Sequence, residues 1–205
     1  MLTAFTAGLL LITVSELGDK TFFIAAILAM RHPRRLVFIG AVAALAVMTI
    51  LSVLVGQVAS FIPGRYVDYV EIGLFTLFGL KLLYDAYQMT SQPGFDECNE
   101  AEEAIDRVEK RQSYHQTFPI ILTETFGLTF LAEWGDRTQI ATITLAAAQD
   151  PIGVTLGAIL GHAICAAIAV TCGRLACGKI SEKTLTAIGG VLFLIFAGVA
   201  LRDVL

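Results

Sequence analysis

The sequence predicts an all-α integral membrane protein with six transmembrane helices arranged as two inverted three-helix repeats. Three observations support this fold class: a strongly apolar composition, long apolar segments separated by short polar connections, and a first half that recurs in the second. Hydrophobic residues make up 56% of the chain, charged residues make up 16%, and the mean hydropathy is +0.75. Soluble domains carry about 25% charged residues, so we expect a lipid bilayer around this chain and no nucleic-acid partner.

Six apolar segments follow one another along the chain, most of them long enough to cross a hydrocarbon layer of about 30 Å. Apolar and polar residues do not alternate with period two, so the segments are expected to be helices and not strands of a barrel. The segments span approximately residues 2–30, 36–62, 67–89, 118–148, 152–177 and 185–201. They divide the chain into a first three-helix repeat (1–89), a polar cytoplasmic linker (90–117) and a second three-helix repeat (118–205).

The polar linker between the two halves contains the pattern of a short solvated helix. Glu103 and Arg107, and likewise Asp106 and Lys110, stand four residues apart with opposite charges, which is favourable on a helix surface. We therefore expect a short polar helix that connects the two membrane-embedded halves.

The distribution of basic residues predicts the orientation in the membrane. Basic residues cluster in the odd-numbered connections, at Arg31, Arg34, Arg35, Arg107, Lys110, Arg111, Arg174, Lys179 and Lys183, whereas the even-numbered side has only Arg65 and Arg202. Cytoplasmic loops of membrane proteins are enriched in Lys and Arg. The central linker is therefore predicted to be cytoplasmic, with both termini on the opposite side.

The two halves match each other at a constant separation of 117 positions (133 minus 16). The offset pairs Gly40 with Gly157 and Gly73 with Gly190 without a gap, so each half is a copy of one three-helix unit. Because three is odd, the second copy enters the membrane from the opposite side. Such inverted repeats are typical of secondary transporters, whose ion sites lie near the midplane where the repeats meet.

One acidic motif occurs twice, each time in the middle of an apolar segment. The copies read Ser15-Glu16-Leu17-Gly18-Asp19-Lys20-Thr21 and Ala132-Glu133-Trp134-Gly135-Asp136-Arg137-Thr138. One Asp at the centre of a membrane helix costs about 3 kcal/mol, so four buried acids require compensation. If each motif is helical, its two acids share one face, and the four acids Glu16, Asp19, Glu133 and Asp136 could together bind a hard divalent cation as metal ligands.

The other polar residues of the motifs are candidate supporting groups. The hydroxyl and amide groups of Ser15, Thr21, Thr138 and Gln139 could add neutral oxygens, and Gly18 and Gly135 could let the helix unwind around an ion. Lys20 and Arg137 follow the glutamates at i+4, so they are expected to be local charge partners. Four carboxylates that share one site could take up either a divalent cation or protons, which is the chemical requirement of a cation/proton antiporter.

The paired E-x-G-D-[KR]-[ST] motifs in a duplicated six-helix chain closely resemble the Golgi-type calcium/manganese:proton exchanger family, which includes Golgi manganese exchangers and thylakoid manganese transporters. The resemblance covers nearly the whole chain. It implies export of Mn²⁺, and in many members Ca²⁺, from the cytoplasm in exchange for protons, with no resident cofactor. It also implies ion binding by Glu16, Asp19, Glu133 and Asp136. The short amino terminus favours a bacterial or cyanobacterial plasma or thylakoid membrane.

Two other functions compete with cation/proton exchange. An exporter of small organic solutes on a similar duplicated fold would need aromatic or basic substrate contacts, which the motifs do not supply. An intramembrane aspartyl protease would need two aspartates at one site, whereas Asp85 is expected near the cytoplasmic surface and Asp19 near the midplane. The choice between Mn²⁺ and Ca²⁺, the oligomeric state, and the roles of four further residues stay open at this stage: Glu71, Lys81, Glu124 and His162.

Overall fold

The computed structural model describes residues 1–89, 96–109, 118–172 and 182–204. Within these ranges the protein is all-α, as predicted, with nine helices. They are α1 (Leu2–Glu16), α2 (Lys20–Arg31), α3 (Arg34–Ala59), α4 (Gly64–Gln88), α5 (Asp96–Glu109), α6 (Phe118–Glu133), α7 (Arg137–Ala148), α8 (Pro151–Cys172) and α9 (Glu182–Val204). Among the described helices, three are long and apolar enough to cross a membrane: α3, α8 and the Lys183–Arg202 part of α9.

The first and fourth apolar segments are each broken into two helices, contrary to the prediction of one continuous helix per segment. The breaks lie at Leu17–Asp19 and at 134–136. Gly18 and Gly135 both have φ of 81°, a left-handed conformation that glycine adopts without a steric penalty and that ends an α-helix. The glycines, which suggested local unwinding, therefore mark the two interruptions.

The helix boundaries repeat with the same offset as the sequence. Helices α2 and α7 both contain 12 residues and begin 117 positions apart, and α1 and α6 both end in the motif glutamate. The duplication found in the sequence is thus present in the backbone.

Small residues allow the first helix of each half to pack closely on a long helix of the other half. Helix α1 packs against α8, and α6 packs against α3. A Cβ atom built on Gly153 would lie 2.6 Å from the Met1 carbonyl oxygen, and one on Gly40 would lie 2.9 Å from Thr125 Cβ. These contacts show that α8 and α3 approach helices of the other half closely at glycine positions, as is common in membrane proteins.

The last helices of the two halves, α4 and α9, pack against each other through aromatic rings. The ring centroids of Phe75 and Phe193 lie 5.7 Å apart, and those of Phe78 and Phe193 lie 5.8 Å apart. Both Phe75 and Phe193 are fully buried. This edge-to-face packing joins the halves at a second place, away from the motifs.

The linker helix α5 is amphipathic, and its apolar face packs on α2. Ala101 and Ile105 are fully buried, so only the outer face of this helix matches the predicted solvated helix. On that face, Arg107 Nη2 contacts Glu103 Oε2 at 3.0 Å, as the spacing predicted. The predicted pair of Asp106 with Lys110 falls partly outside the described residues.

Candidate cation-binding site

Four helix ends meet at the two motifs. Glu16 and Glu133 are the last residues of α1 and α6, and Asp19 and Asp136 are the N-cap residues of α2 and α7. The C-terminal end of a helix carries a partial negative charge and the N-terminal end a partial positive charge. The glutamates therefore lie where the backbone attracts a cation, while the aspartates lie where the backbone stabilises a carboxylate.

The two turns between these helices have the same backbone hydrogen bonds. The Asp19 amide donates to the Glu16 carbonyl oxygen at 3.2 Å, and the Asp136 amide donates to the Glu133 carbonyl oxygen at 3.2 Å. Each turn thus holds the aspartate directly beyond the glutamate. The sequence predicted that the two acids of a motif share a face of one helix. They are instead close because of this turn.

Three of the four predicted acids form one close group. Glu16, Asp19 and Asp136 each offer a carboxylate oxygen, and the three oxygens lie within 4.8 Å of one another. Glu133 does not belong to this group in the described part of the chain, although it is buried and interacts electrostatically with the other three acids. The structure therefore brings residues from both repeats together around one small volume.

The motif threonines bind the glutamates. Thr21 Oγ1 donates to Glu16 Oε2 at 3.0 Å, and Thr138 Oγ1 lies 2.9 Å from Glu133 Oε1 and 3.1 Å from Asp136 Oδ2. The Thr138 amide also donates to Asp136 Oδ2 at 3.3 Å. These bonds orient one oxygen of each glutamate and leave the other oxygen available.

The second oxygens of the two glutamates have no hydrogen-bond partner among the described residues. Glu16 Oε1 and Glu133 Oε2 are both enclosed and unpaired there. Leaving a buried acceptor unsatisfied costs about 1–3 kcal/mol, and more for a charged group. A bound cation or a proton would remove this cost.

The basic residues of the motifs do not form the local ion pairs that the i+4 spacing predicted. Arg137 Nη2 contacts Asp19 Oδ1 at 3.1 Å, across the interface between the repeats, and Lys20 Nζ contacts Glu100 Oε2 of α5 at 2.9 Å. The prediction is wrong because the helix ends between the two members of each expected pair, so i+4 neighbours no longer lie on one helical surface.

Gln139 and Ser15 have different environments. The Gly135 amide donates to Gln139 Oε1 at 2.7 Å, and Gln139 Nε2 contacts Met48 Sδ at 2.9 Å. Gln139 therefore holds the turn of the second motif. Ser15 Oγ is enclosed, and no hydrogen-bond partner for it is found in the described ranges.

A cavity of about 200 Å³ opens next to the first motif. Asp19 and Arg137 line it together with side chains from the C-terminal half of α4 and the N-terminal half of α9. These are Leu82, Asp85, Met89, Leu185, Thr186 and Gly189. The sequence placed Asp85 near a helix end but gave no signal that it would share a cavity with Asp19, because the packing of α4 against α9, and of α9 against α1, is a tertiary feature.

The residues whose roles stayed open lie in separate places. Glu71 lines a second cavity of about 290 Å³ with Asp68 near the other end of α4. Glu124 is buried in α6, and Lys81 is exposed on α4. His162 lines a small pocket together with Glu16.

Comparison with known proteins gives consistent matches over nearly the whole chain. The family model described as "Divalent cation/proton antiporter GDT1" matches residues 4–90 and 121–205. The GDT1-like protein sll0615 of Synechocystis is 60% identical over 200 residues, which cover 98% of this chain and 97% of that protein.

Plant relatives are longer than this chain. The chloroplastic GDT1-like protein 2 of rice is 44% identical over 95% of this chain and 60% of its own length. The chloroplastic PAM71-homolog of Arabidopsis thaliana is 43% identical over 95% of this chain and 58% of its own length. No solved structure matches the chain.

Proposed function

The chain belongs to the GDT1 family of divalent cation/proton antiporters, which are multi-pass membrane transporters and not enzymes, and we propose that this member exports Mn²⁺, with Ca²⁺ as a second substrate, from the cytoplasm in exchange for protons. Family membership argues against an intramembrane aspartyl protease and against an exporter of organic solutes. The direction of transport and the choice of cation are part of the proposal.

The close group of three carboxylates from both repeats is the observation that carries this proposal. The oxygens of Glu16, Asp19 and Asp136 lie within 4.8 Å of one another, which suits a hard divalent cation because such ions need several oxygens and negative charge. With Glu133 beside them, the described part of the site contains four acidic side chains and one guanidinium group, that of Arg137. Repulsion among the acids favours uptake of a cation or of protons.

In this proposal Glu16, Asp19, Glu133 and Asp136 bind the cation, and the rest of the motif supports them. Glu133 joins the ligand set when its unpaired oxygen turns toward the ion. The threonines orient the glutamates, the glycines form the turns, and Arg137 limits how tightly the ion binds. The supporting residues are Ser15, Gly18, Lys20, Thr21, Gly135, Arg137, Thr138 and Gln139.

We further propose that the four helices of each half form one of two inverted three-helix units, with six transmembrane segments in total. The equal helix offsets, the reciprocal packing of α1 on α8 and of α6 on α3, and the two separate segments matched by the family model support this arrangement. The units correspond to residues 1–89 and 118–205, joined by the linker 90–117. The linker faces the cytoplasm, and both termini lie on the opposite side.

The cavity beside the first motif is then the cytoplasmic access path. It is lined by Asp85 and Met89, at the end of α4 that leads into the linker, and by Asp19 of the first motif. Asp85 would attract cations to this path. The cavity with Asp68 and Glu71 lies toward the other end of α4 and would belong to the exit path. We place the protein in the plasma or thylakoid membrane, in keeping with its cyanobacterial relative.

Purified protein in liposomes with an imposed proton gradient tests this function. We expect Mn²⁺ movement coupled to proton movement, and loss of at least about 99% of it in Asp19→Asn and in Asp136→Asn, because each change removes a charged ligand from a site that needs several. Glu103→Gln, on the exposed face of α5, is the matched control and should transport at the parental rate. A panel of Mn²⁺, Ca²⁺ and Mg²⁺ in the same assay identifies the substrate.

Monodisperse elution of the Asn variants in detergent would show that they still fold. Parental transport rates in both Asn variants would rule out the carboxylate site. Transport of Mn²⁺ without proton movement would rule out exchange.

A further inference from the structure

His162 lies in the middle of α8, and one nitrogen of its ring has no hydrogen-bond partner among the described residues. Its side chain is 95% buried, since only 5% is exposed, and its Nδ1 atom is enclosed and has no partner in the described ranges. An imidazole always presents at least one N–H or lone pair, and burying such a group without a partner costs about 1–3 kcal/mol. The position therefore calls for an occupant that the described residues do not supply.

That occupant would lie beside the candidate cation site. His162 lines a pocket of about 10 Å³ together with Glu16, Thr21 and Cys165, which is room for about one water molecule or a smaller dehydrated ion. Glu16 Oε2 accepts from Thr21, whereas Glu16 Oε1 has no partner among the described residues. Two residues that each carry one unsatisfied atom, Glu16 and His162, thus line the same small pocket.

The pocket distinguishes the two repeats. At the offset of 117, His162 corresponds to Leu45 and Cys165 corresponds to Met48. Around the second motif, Met48 contacts Gln139. In the described part of the chain, the imidazole of His162 lines a pocket with the glutamate of the first motif.

We propose that His162 determines metal specificity by providing a nitrogen ligand to a cation held by Glu16, so that Mn²⁺ and related first-row transition-metal ions are preferred over Ca²⁺. Ca²⁺ takes six to eight oxygen ligands, whereas first-row transition-metal ions also accept imidazole nitrogen. The inference rests on the proposed function and adds the residue that sets the preference between the two ions.

Electron spin-echo envelope modulation of bound Mn²⁺ tests the nitrogen ligand directly. In the complete protein labelled with ¹⁵N-histidine, we expect a ¹⁵N coupling to Mn²⁺ that disappears in His162→Leu and persists in His32→Gln, the matched histidine control. Leucine is chosen because Leu45 occupies the corresponding position in the first repeat. His162→Gln serves as a second variant if leucine disturbs folding.

Competition assays in liposomes give the functional readout. We expect His162→Leu to lower the preference for Mn²⁺ over Ca²⁺ about tenfold, at the lower end of the effects seen when groups around a metal are removed, with less change for Ca²⁺ alone. Absence of nitrogen coupling in the wild-type protein, or an unchanged preference in both His162 variants, would overturn the inference while proton-coupled transport persists. Loss of proton coupling in the wild type would instead count against the proposed function.

Discussion

The two motifs have the same backbone but different surroundings. In both, a glutamate ends one helix, a glycine with φ of 81° forms the turn, and an aspartate caps the next helix. The first turn is enclosed, because Gly18 is buried and Leu17 lines the cavity, whereas Gly135 and Trp134 in the second turn are exposed. The duplicated sequence thus determines the backbone of the turn, and the neighbouring helices determine which residues each turn contacts.

The difference is clearest for the two basic residues, which occupy equivalent positions. Arg137 reaches across to Asp19 of the other repeat, whereas Lys20 contacts Glu100 on the linker helix. The linker occurs once, so it can pair with only one of the two motifs. Among the described residues, the positive charge within the site therefore comes from Arg137 of the second repeat. The two motifs are not interchangeable in this conformation.

Removing the charge of Arg137 should have the largest effect on this asymmetry. In Arg137→Gln, Asp19 loses a positive partner at 3.1 Å and becomes fully available to the cation. An ion pair at such a distance is worth several kcal/mol at an effective dielectric constant of about 20, so we expect Mn²⁺ to bind at least about tenfold more tightly and turnover to fall by a similar factor. Binding titrations and initial transport rates measure the two quantities.

Lys20→Gln is the matched variant, since it alters the same position of the first motif. It should leave affinity and turnover within about twofold of the parent, because an exposed ion pair contributes about 1 kcal/mol or less. Arg137→Lys, which keeps the charge, should lie between the parent and Arg137→Gln. Equal effects of the two Gln variants would show that the motifs are functionally equivalent despite their different contacts.

Replacing the turn glycines, Gly18 and Gly135, tests whether the two turns contribute equally to stability. Gly135→Ala should destabilise the fold by about 1–2 kcal/mol, the cost of a left-handed conformation for a residue with a Cβ atom. Apart from the chain neighbours of Gly135, no described residue has an atom within 4 Å of the added Cβ, so the cost is conformational. Gly18→Ala should cost at least as much because Gly18 is buried. Thermal unfolding in detergent measures both changes.

Gly127→Ala is the control for the glycine pair. Gly127 lies inside α6, and a Cβ atom there also meets nothing within 4 Å, but its helical conformation suits alanine. This variant should be neutral or more stable by about 0.5–1 kcal/mol. Similar destabilisation in all three variants would indicate that φ does not set the cost.

The sequence was sufficient to predict the repeat and the convergence of acids from both halves, because these features depend on the constant offset. It identified the motif glycines as places where a helix could unwind, but it predicted one continuous helix per segment. It could not predict the partner of Lys20, because that contact depends on how α5 docks on α2. Nor could it predict that Asp85 shares a cavity with Asp19, or that Glu133 lies outside the close group. These features differ between halves that have the same motif, so they are set by tertiary packing.

The smallest expected effect concerns the contact between Lys20 and Glu100, which distinguishes the first motif from the second. The side chains of Lys20 and Glu100 are 38% and 63% exposed, so a double-mutant cycle with Lys20→Gln and Glu100→Gln should give a coupling of about 0.2–1 kcal/mol. Salt should weaken it, because the Debye length is only about 10 Å at 0.1 M. A coupling above about 2 kcal/mol that persists at high salt would contradict this estimate. It would mean that the linker helix holds the first motif in place, and that the asymmetry of the site originates in the linker rather than in Arg137.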